Sequence, residues 1–452
     1  MQCNKNDQKS GNTRRTFLKE TAALAVGLSV AGRAGANPVK LEALALNGGP
    51  KAVKTPPDSL AWERCWPLYG RDEQEAVLEI ARTPWGGPDG QCNSIPLLEE
   101  EWKEHFKVPY ARVHSSGTAA LMSLYFALDL PPGSEIMVPS YTYWATIVPM
   151  RFFGLVPVFV DINPRTLNLD LEDAQRRLTK NTKAVMTVHW IGLPCPMDQI
   201  CDWAKEKGLI VLEDVAHAPG CLVKGKYTGT WGSMSMFSFQ AIKPLPAGEG
   251  GMGVYQNKEY CERATIFGNY IHVPQSFWKG SPYENPQSRG ASANHRIHPM
   301  AAALARCQLR GLEERHAKVV ANVRSLNERL TQLPGLYEQG APRPDLTRLY
   351  YLWNMFFINE AEAGMSREAC VKALQAEGVR TWLFSYPPQH KRRLYAEAKW
   401  WHHKPVIPDL PGTEQANRTA IPLPVFTRPA PDVVDQYVKA FEKVWAHRKQ
   451  LG

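Results

Sequence analysis

Apart from its first 36 residues, the sequence has no long hydrophobic run. A helix needs about 20 consecutive apolar residues to cross the hydrocarbon core of a membrane, and no such run occurs after residue 36. The sequence also has no internal repeat and no long low-complexity segment, which excludes a repeat architecture. Its 452 residues, 44% hydrophobic and 21% charged, therefore predict a soluble globular protein with a large core and two or three domains.

Paired cysteines and metal-ligand spacings are also missing. The nine cysteines include no Cys-x-x-Cys pair, and His390, His402 and His403 have no carboxylate or further histidine at ligand spacing. We therefore expect no metal site, and we interpret these histidines as solvated or as part of a substrate edge. One or two disulfides are possible, and the sequence alone cannot show which cysteines would pair.

Positive charge is in slight excess but is not concentrated. The formal net charge is +9, and the first 36 residues carry six basic and two acidic side chains, which leaves +5 for the remainder. Because the other Lys and Arg residues are interspersed with Asp and Glu, the pattern does not favour nucleic-acid binding. A mild preference for anionic substrates is compatible with this balance.

The N-terminus has the pattern of an export signal. Residues 13–19, which contain Arg14-Arg15, resemble a twin-arginine motif; an apolar stretch follows at residues 21–32, and residues 34–36 fit an A-x-A cleavage site. The 12 residues of this stretch would rise about 18 Å as a helix, against a hydrocarbon core of about 30 Å. We therefore predict cleavage after Ala36, passage through the twin-arginine translocation machinery, a periplasmic or extracellular location and no stable membrane insertion. A disordered basic tail is the alternative.

Apolar runs and amphipathic stretches alternate from about residue 105. They are residues 111–114, 118–128, 136–139, 156–160, 184–188 and 209–212. Such alternation predicts a mostly parallel sheet covered by helices. Helical spacing over residues 304–330 predicts a long connecting helix, and a strand at residues 350–358 with a helix at residues 367–376 predicts a smaller α/β domain.

The first segment that can bind an anion is Ser115-Ser116-Gly117-Thr118. It follows a predicted strand and opens a predicted helix, so its free backbone amides and the helix dipole would face an anion. The segment is a candidate phosphate site, and a plain helix cap is the alternative interpretation.

A second candidate is the carboxylate of Asp214. The strand-like residues 209–212 run into Glu213-Asp214, at the edge where ligands of open α/β sheets bind. A buried acid there either meets a cation, such as a protonated pyridine nitrogen, or has a raised pKa. His217 follows three residues later. The alternative is that Asp214 only caps the next helix.

The third candidate, Lys243, stands just beyond a strand-like run, among small and turn-forming residues. This position suits an amine that points into a cleft and reacts with an aldehyde cofactor, although Lys243 alone is better explained by an exposed surface position. Gly248-x-Gly250-x-x-Gly253 formally fits a dinucleotide fingerprint. We reject it, because it leads into the strand-like residues 253–255 and not into a helix.

These three segments, in this order, resemble the DegT/DnrJ/EryC1/StrS aminotransferases. The matching motifs are Ser-Gly-Thr at residues 116–118, Glu-Asp-x-Ala at 213–216, and Phe-Ser-Phe at 237–239 followed by Lys243 and by Gly-Glu-Gly-Gly at 248–251. Further matches at residues 46–50, 139–143, 188–189 and 294–296 extend the resemblance over about residues 44–450.

The resemblance implies a fold-type I, pyridoxal-phosphate-dependent enzyme. Its large domain is expected to have a mostly parallel seven-stranded sheet between helices, and its smaller C-terminal domain is expected to be α/β. We place the signal peptide in residues 1–36, an N-terminal arm and the large domain in residues 37–315, and the small domain in residues 316–452.

The resemblance also implies roles for single residues. Lys243 is expected to bind pyridoxal phosphate as an imine and to move the proton between substrate and cofactor. Asp214 is expected to keep the pyridine nitrogen protonated, and His217 to lie near the ring oxygen. The remaining expected contacts are Gly117, Thr118 and Ser238 at the phosphate and Tyr143 stacked on the ring, with Trp144 as a rival for the stacking.

Asn294 matches an asparagine that reaches the phosphate of the neighbouring subunit, which implies a homodimer with shared active sites. Two positions depart from the family pattern, because His295 stands where Tyr is usual and Tyr143 where Phe or Trp is usual. Lys243 argues against the dehydratase branch of the family, whose members have histidine there.

The resemblance thus implies an aminotransferase that moves an amino group from glutamate or glutamine to a keto group of a sugar or cyclitol. Many such enzymes use nucleotide-activated sugars made in the cytoplasm, which an exported enzyme would not readily meet. The acceptor can therefore also be a free sugar, a cyclitol or an unfamiliar compound.

Two alternatives to an aminotransferase are a lyase or racemase with the same cofactor and a binding protein without turnover. Lys243 and Asp214 speak against the latter, because binding alone needs neither an imine nor an electron sink.

Overall fold

The computed structural model describes residues 42–55, 66–83, 93–268, 273–291, 293–340, 343–397 and 399–452. The predicted signal peptide, residues 1–36, lies outside these ranges. Within them, Ala43–Gly452 forms one compact unit.

The described residues form 13 strands and 13 α-helices. The strands are β1 (Tyr110–His114), β2 (Glu135–Pro139), β3 (Val156–Val160), β4 (Thr182–Val188), β5 (Ile210–Asp214), β6 (Leu222–Val223), β7 (Lys226–Tyr227), β8 (Met234–Ser238), β9 (Gly251–Tyr255), β10 (Leu336–Glu338), β11 (Leu346–Thr347), β12 (Trp353–Ile358) and β13 (Ala420–Pro424). The helices are α1 (Arg71–Arg82), α2 (Ser94–Phe106), α3 (Gly117–Ala127), α4 (Leu171–Arg176), α5 (Met197–Lys207), α6 (Lys258–Gly268), α7 (Pro299–Arg310), α8 (Leu312–Leu330), α9 (Glu360–Ala363), α10 (Arg367–Ala376), α11 (Arg393–Ala396), α12 (Pro411–Thr419) and α13 (Pro431–Ala446). Short 3-10 helices include Trp144–Thr146, Val148–Phe153 and Trp190–Gly192.

Seven strands form one sheet in the order β1-β9-β8-β5-β4-β2-β3. Neighbouring strands are parallel except at β9, which runs antiparallel to both β1 and β8. The prediction of a mostly parallel seven-stranded sheet is confirmed. The five runs predicted as its strands differ from β1 to β5 by no more than two residues at either end.

Both faces of this sheet are covered by helices. Side chains alternate between the two faces of a strand, so the successive residues Ile136 and Met137 of β2 point in opposite directions. Both are fully buried: Ile136 shares a core cluster with Leu124 of α3, and Met137 shares another with Ile200 of α5. Burial on both faces explains why these strands appear in the sequence as continuous apolar runs.

The single long helix predicted over residues 304–330 is wrong, because two helices occupy this region. α7 ends before Gly311 and α8 begins after it. Gly311, with φ −99° and ψ 13°, does not have helical backbone geometry. The Nη2 of Arg315 donates a hydrogen bond to the Gln308 carbonyl oxygen at 2.5 Å, and thus satisfies a carbonyl group that the end of α7 leaves without a helical partner.

The strand predicted over residues 350–358 is also shorter than expected. β12 begins at Trp353, because Leu352 has a φ of +61°, a left-handed conformation that a strand does not contain. The predicted helix over residues 367–376 is confirmed as α10.

A second, three-stranded sheet in the order β10-β12-β13 is antiparallel. Phe356 of β12 and Ile421 of β13 pack with Leu374 of α10 and Tyr437 of α13 in one core cluster. This C-terminal region has the predicted α/β character. The predicted domain boundary between residues 315 and 316 falls within α8 and stays a prediction.

None of the helices in the described ranges is both long and apolar enough to span a membrane. The six cysteines in this part of the chain are free thiols: Cys195, Cys201, Cys221, Cys261, Cys307 and Cys370. The same residues contain no group of three or more His, Cys, Asp or Glu side chains that could hold a metal ion.

Candidate active site

A cavity of about 480 Å³ opens at the carboxyl edge of the seven-stranded sheet. The neighbouring parallel strands β4, β5 and β8 end at this edge, and α3 begins beside them, which is where ligands of open α/β sheets bind. The cavity brings together seven of the eight predicted site residues, namely Gly117, Thr118, Tyr143, Asp214, His217, Ser238 and Lys243. The eighth, Asn294, does not line it.

Asp214 is a buried carboxylate at the end of β5. Its Oδ2 accepts a hydrogen bond from Thr146 Oγ1 at 2.8 Å, and its Oδ1 accepts one from the Ala216 backbone N–H at 3.0 Å. Burial raises the pKa of Asp214, while these two hydrogen bonds and the positive charge of Lys243 oppose the rise. A further cation that enters the cavity would therefore be stabilised by this carboxylate.

Thr146 is a site residue that the sequence motifs did not reveal. Besides its bond to Asp214, its hydroxyl lies 2.9 Å from the hydroxyl of Thr142, and its carbonyl oxygen accepts a hydrogen bond from the Tyr125 hydroxyl at 2.5 Å. Thr146 is 68 positions from Asp214 along the chain. No spacing pattern relates such distant residues, so only the fold shows that Thr146 orients the carboxylate.

His217 is buried between two aromatic rings. Its ring centroid lies 5.1 Å from that of Trp190 and 4.7 Å from that of Tyr351, and its Nδ1 accepts a hydrogen bond from the Ile191 N–H at 3.3 Å. Burial, followed by the charge of Lys243, lowers the pKa of His217 well below its usual value. The imidazole is therefore neutral with its hydrogen on Nε2, since Nδ1 is an acceptor. This tautomer suits the predicted contact with a ring oxygen.

Lys243 is a partly buried amine in a loop with several hydrogen bonds. Its backbone N–H donates to the Gln240 carbonyl oxygen at 2.8 Å, and its own carbonyl oxygen accepts a hydrogen bond from Trp66 Nε1 at 2.9 Å. Burial lowers the pKa of Lys243 to about 8, although the charge of Asp214 acts in the opposite direction. The amine therefore has a large neutral fraction near pH 8, and only the neutral form is a nucleophile.

The N-terminus of α3 and the strands beside it form a glycine-lined cradle. Ser116 caps the helix, because its Oγ accepts a hydrogen bond from the Ala119 N–H at 3.0 Å. A Cβ on Gly117 would lie 2.9 Å from Ser238 Cβ, and a Cβ on Gly251 would lie 2.7 Å from the Gly117 nitrogen. Glycine at both positions lets β8 and β9 approach the helix terminus, whose free N–H groups and dipole favour an anion. The segment at residues 115–118 can therefore be both a helix cap and an anion site.

Tyr143 and Trp144 both line the cavity. Their exposed fractions are 51% and 37%, and their ring centroids are 5.1 Å apart. Either ring is therefore a candidate contact for a ligand in the cavity. Tyr143 as the stacking residue, with Trp144 as its rival, stays a prediction.

Asn294 lies outside the cavity of its own chain and is exposed. Its Oδ1 accepts a hydrogen bond from Arg296 Nε at 2.8 Å, and its contact with the phosphate of a neighbouring subunit stays a prediction. The adjacent His295, which replaces the usual Tyr, is buried with its ring centroid 5.2 Å from that of Phe267. The imidazole thus packs within its own chain.

The cavity fits pyridoxal phosphate. The cofactor needs an anion site, a partner for its pyridine nitrogen and an amine for its aldehyde; the cradle, Asp214 and Lys243 supply these groups. The close approach at Gly117 and Gly251 leaves backbone amides as the natural phosphate ligands. Among the described residues that line the cavity, Lys243 is the only lysine or arginine.

Comparison with known proteins agrees with this geometry. Residues 67–442 match the DegT/DnrJ/EryC1/StrS aminotransferase family. The chain is 39% identical over 207 residues to GDP-perosamine synthase of Escherichia coli O157:H7, a match that covers 46% of this chain and 56% of that protein. It is 31% identical over 402 residues to dTDP-4-dehydro-2,3,6-trideoxy-D-glucose 4-aminotransferase of Saccharopolyspora spinosa, which covers 85% of this chain and 98% of that protein.

A solved structure of DesI, in the presence of its TDP-sugar product, is also similar. Its TM-score is 0.70 at 30% identity, and the match covers 90% of this chain and 97% of that chain. The predicted fold type, cofactor and enzyme class are confirmed. The chain belongs to the DegT/DnrJ/EryC1/StrS aminotransferase family and is a pyridoxal-phosphate-dependent aminotransferase.

Proposed function

We propose that this aminotransferase transfers an amino group from glutamate or glutamine to the keto group of a sugar or a cyclitol. The observation that carries the proposal is the convergence of Lys243, Asp214 and His217 on one cavity. The names of two relatives, a sugar 4-aminotransferase and a perosamine synthase, support a keto sugar as acceptor.

Lys243 carries the proton in this reaction. When bound, pyridoxal phosphate supplies an electron sink that acidifies the C–H bond next to the substrate nitrogen. The neutral Nζ of Lys243 accepts that proton as a general base and returns it as a general acid. Its pKa of about 8 suits both directions, because proton transfer is most efficient when the pKa of the catalyst lies near the working pH.

The other polar residues bind and orient the ring. The carboxylate of Asp214 would hold the proton on the pyridine nitrogen, and Nε2–H of His217 would donate to the ring oxygen. The amides of Gly117 and Thr118 and the hydroxyl of Ser238 would bind the phosphate. Because Asp214 and His217 are buried, water is excluded around them and their electrostatic interactions are stronger than in solvent.

Shared active sites in a homodimer are part of the proposal. Asn294 is exposed and does not line the cavity of its own chain, so the partner subunit's Asn294 would donate its amide N–H to the phosphate beside the backbone amides of the cradle. Mixing Lys243→Ala chains with Asn294→Ala chains tests this arrangement. We expect mixing to restore activity above that of either variant, because a hybrid dimer contains one intact site; unchanged activity would refute shared sites.

Export through the twin-arginine machinery is supported by Arg14-Arg15, the apolar residues 21–32 and the cleavage pattern that ends at Ala36. This route carries folded proteins, so the cofactor can bind before export. The double variant Arg14→Lys/Arg15→Lys should stay in the cytoplasm uncleaved. N-terminal sequencing of the exported wild type should begin at residue 37, and export of the double variant would contradict the proposal.

The visible absorption spectrum tests the reaction. Wild-type protein with pyridoxal phosphate should show the absorption band of the lysine-bound cofactor, and L-glutamate or L-glutamine should convert this band to that of pyridoxamine phosphate. Lys243→Ala should show neither the lysine-bound band nor turnover. If the wild-type band forms and neither donor converts it, the amino donors proposed here are wrong.

A further inference from the structure

A second cavity, of about 320 Å³, adjoins the active-site cavity. The two share the side chains of Ile242, Tyr351, Leu352 and Trp353 as walls. Ile242 and Pro244, which flank Lys243 in the chain, both line the second cavity. Ile242 is 48% exposed and is not fixed in the core, so a molecule whose reacting carbon lies at Lys243 can extend past it into this space.

The shared wall contains a strained turn. Trp353 N–H donates to the Tyr351 carbonyl oxygen at 2.7 Å, which closes a three-residue turn around Leu352 at a φ of +61°. A branched side chain rarely adopts this conformation, and such strain is concentrated at functional sites. The Leu352 side chain is 40% exposed, so it borders both cavities without being fixed in the core.

Three indole rings lie in the wall of the second cavity. Trp66, Trp353 and Trp382 all line it. Trp382 is 38% exposed and lies 6.3 Å, centroid to centroid, from Trp353 at an interplanar angle of 78°. Indole rings bury large apolar faces and accept weak C–H contacts on them. The C–H face of a pyranose ring provides such contacts.

The charge of the second cavity argues against a nucleotide. Arg380 is the only lysine or arginine among its described lining residues, and it is exposed. His316, which also lines the cavity, is half-buried. This burial and the charge of Arg315 lower its pKa to about 3, so it is neutral. A nucleoside diphosphate carries more than one negative charge and would be poorly matched by one exposed guanidinium. An uncharged ring is the better fit.

We propose that the second cavity binds a neutral sugar ring that is joined by a glycosidic bond to the keto sugar reacting at Lys243. This inference rests on the proposed function, because it extends the acceptor beyond the ring that receives the amino group. It makes the acceptor a glycoside of at least two rings, and Trp382 the residue on which the second ring stacks.

The test is a calorimetric titration of the full chain loaded with pyridoxal phosphate. The probes are maltose, cellobiose and chitobiose, their monosaccharide units, and dTDP and GDP. The variants are Trp382→Ala, Trp382→Phe, which keeps an aromatic face, and Trp400→Ala as the matched control, because Trp400 is 58% exposed and does not line the cavity. Thermal unfolding checks that each variant is folded.

We expect at least one disaccharide to bind about tenfold more tightly than its monosaccharide, and Trp382→Ala to weaken it about tenfold, as for the loss of one ring contact. Trp382→Phe should retain most of the affinity, and Trp400→Ala should bind as the wild type does. The proposal is overturned if no disaccharide binds more tightly than its monosaccharide, if Trp382→Ala binds like the wild type, or if dTDP or GDP binds in a Trp382-dependent way.

Failure of the proposed function gives a different result. The same samples are treated with L-glutamate and L-glutamine, and the cofactor spectrum is recorded. If neither donor changes the spectrum while disaccharide binding still depends on Trp382, the amino-transfer proposal fails and the sugar site stands. If a donor converts the cofactor and no disaccharide binds, only the sugar site fails.

Discussion

The active-site cavity and the second cavity share a wall but are built in different ways. The first takes Asp214, Ser238 and the cradle at Gly117 from adjacent strand ends and a helix terminus. The second takes indole rings from residues 66, 353 and 382, which are distant in the chain. Chemistry fixed by a cofactor thus leaves short motifs in the sequence, whereas a surface shaped for a substrate leaves none.

The two cavities also differ in polarity. Asp214 and His217 are buried polar groups, and each has a hydrogen-bond partner within the chain. Leaving such groups without partners would be costly, so their surroundings are closely determined. Trp382 is 38% exposed and needs no such partner, so we expect its replacement by another apolar residue to preserve the fold while it changes ligand binding.

Lys243→Ala should abolish amino transfer. It removes both the amine that binds the cofactor and the proton carrier, so the turnover number should fall by about 10⁴-fold or more. Lys205→Ala is the matched control, because Lys205 is an exposed lysine of α5. Steady-state kinetics with glutamate measures the effect. Equal losses of turnover in the two variants would contradict the catalytic role of Lys243.

Asp214→Asn should lower turnover by about 10²–10³-fold, the usual effect of removing one electrostatic group from an active site. The amide keeps the size of the carboxylate but cannot hold a proton on the ring nitrogen. Asp202→Asn, on the exposed face of α5, is the control. Turnover within about twofold of wild type in Asp214→Asn would show that the carboxylate is only structural.

The reaction of cofactor-free protein with pyridoxal phosphate should depend on pH. Burial depresses the pKa of Lys243 to about 8, so the neutral amine increases as pH rises and saturates above that value. The rate of appearance of the lysine-bound band, followed by stopped flow, should rise about tenfold per pH unit below pH 8 and then level off. A rate that still rises about tenfold between pH 8 and pH 9 would indicate a solvated lysine, whose pKa is about 10.4.

Gly117→Ala should weaken cofactor binding about tenfold, because overpacking of a tight site typically costs about 1–3 kcal/mol. The new Cβ would meet Ser238 Cβ at 2.9 Å. Gly70→Ala is the control, because its Cβ would only touch Glu73 at 3.4 Å. Equilibrium titration with pyridoxal phosphate distinguishes the two, and equal affinities would contradict the cradle.

Leu352→Gly should be more stable than Leu352→Ala, although both variants lose the same wall contact. Glycine adopts the φ of +61° without the penalty of about 1–2 kcal/mol that other residues incur. We expect a difference of about 1 kcal/mol in the free energy of unfolding, since glycine also gains freedom in the unfolded chain. Urea denaturation measures it, and a more stable alanine variant would show that the turn is unstrained.

The sequence indicated the layered sheet because its buried strands are continuous apolar runs. It did not show the break at Gly311, since the apolar spacing continues on both sides of that residue. The sequence predicts a strand that includes Leu352, whereas the structure gives this residue a left-handed backbone conformation. The surrounding fold imposes that conformation, so the local sequence does not indicate it. The contacts of Thr146 and Tyr351 with the cavity depend on segments that only folding brings together, so local patterns did not show them.

The most direct measurement is to treat the cofactor-loaded protein with sodium borohydride, digest it and map the modified peptide by mass spectrometry. Reduction makes the bond between pyridoxal phosphate and its lysine permanent. We expect one modified residue, Lys243, in the wild type and no stoichiometric modification in Lys243→Arg, whose guanidinium is not a nucleophile at neutral pH. Stoichiometric modification of any other lysine in the wild type would contradict the assignment of the active site.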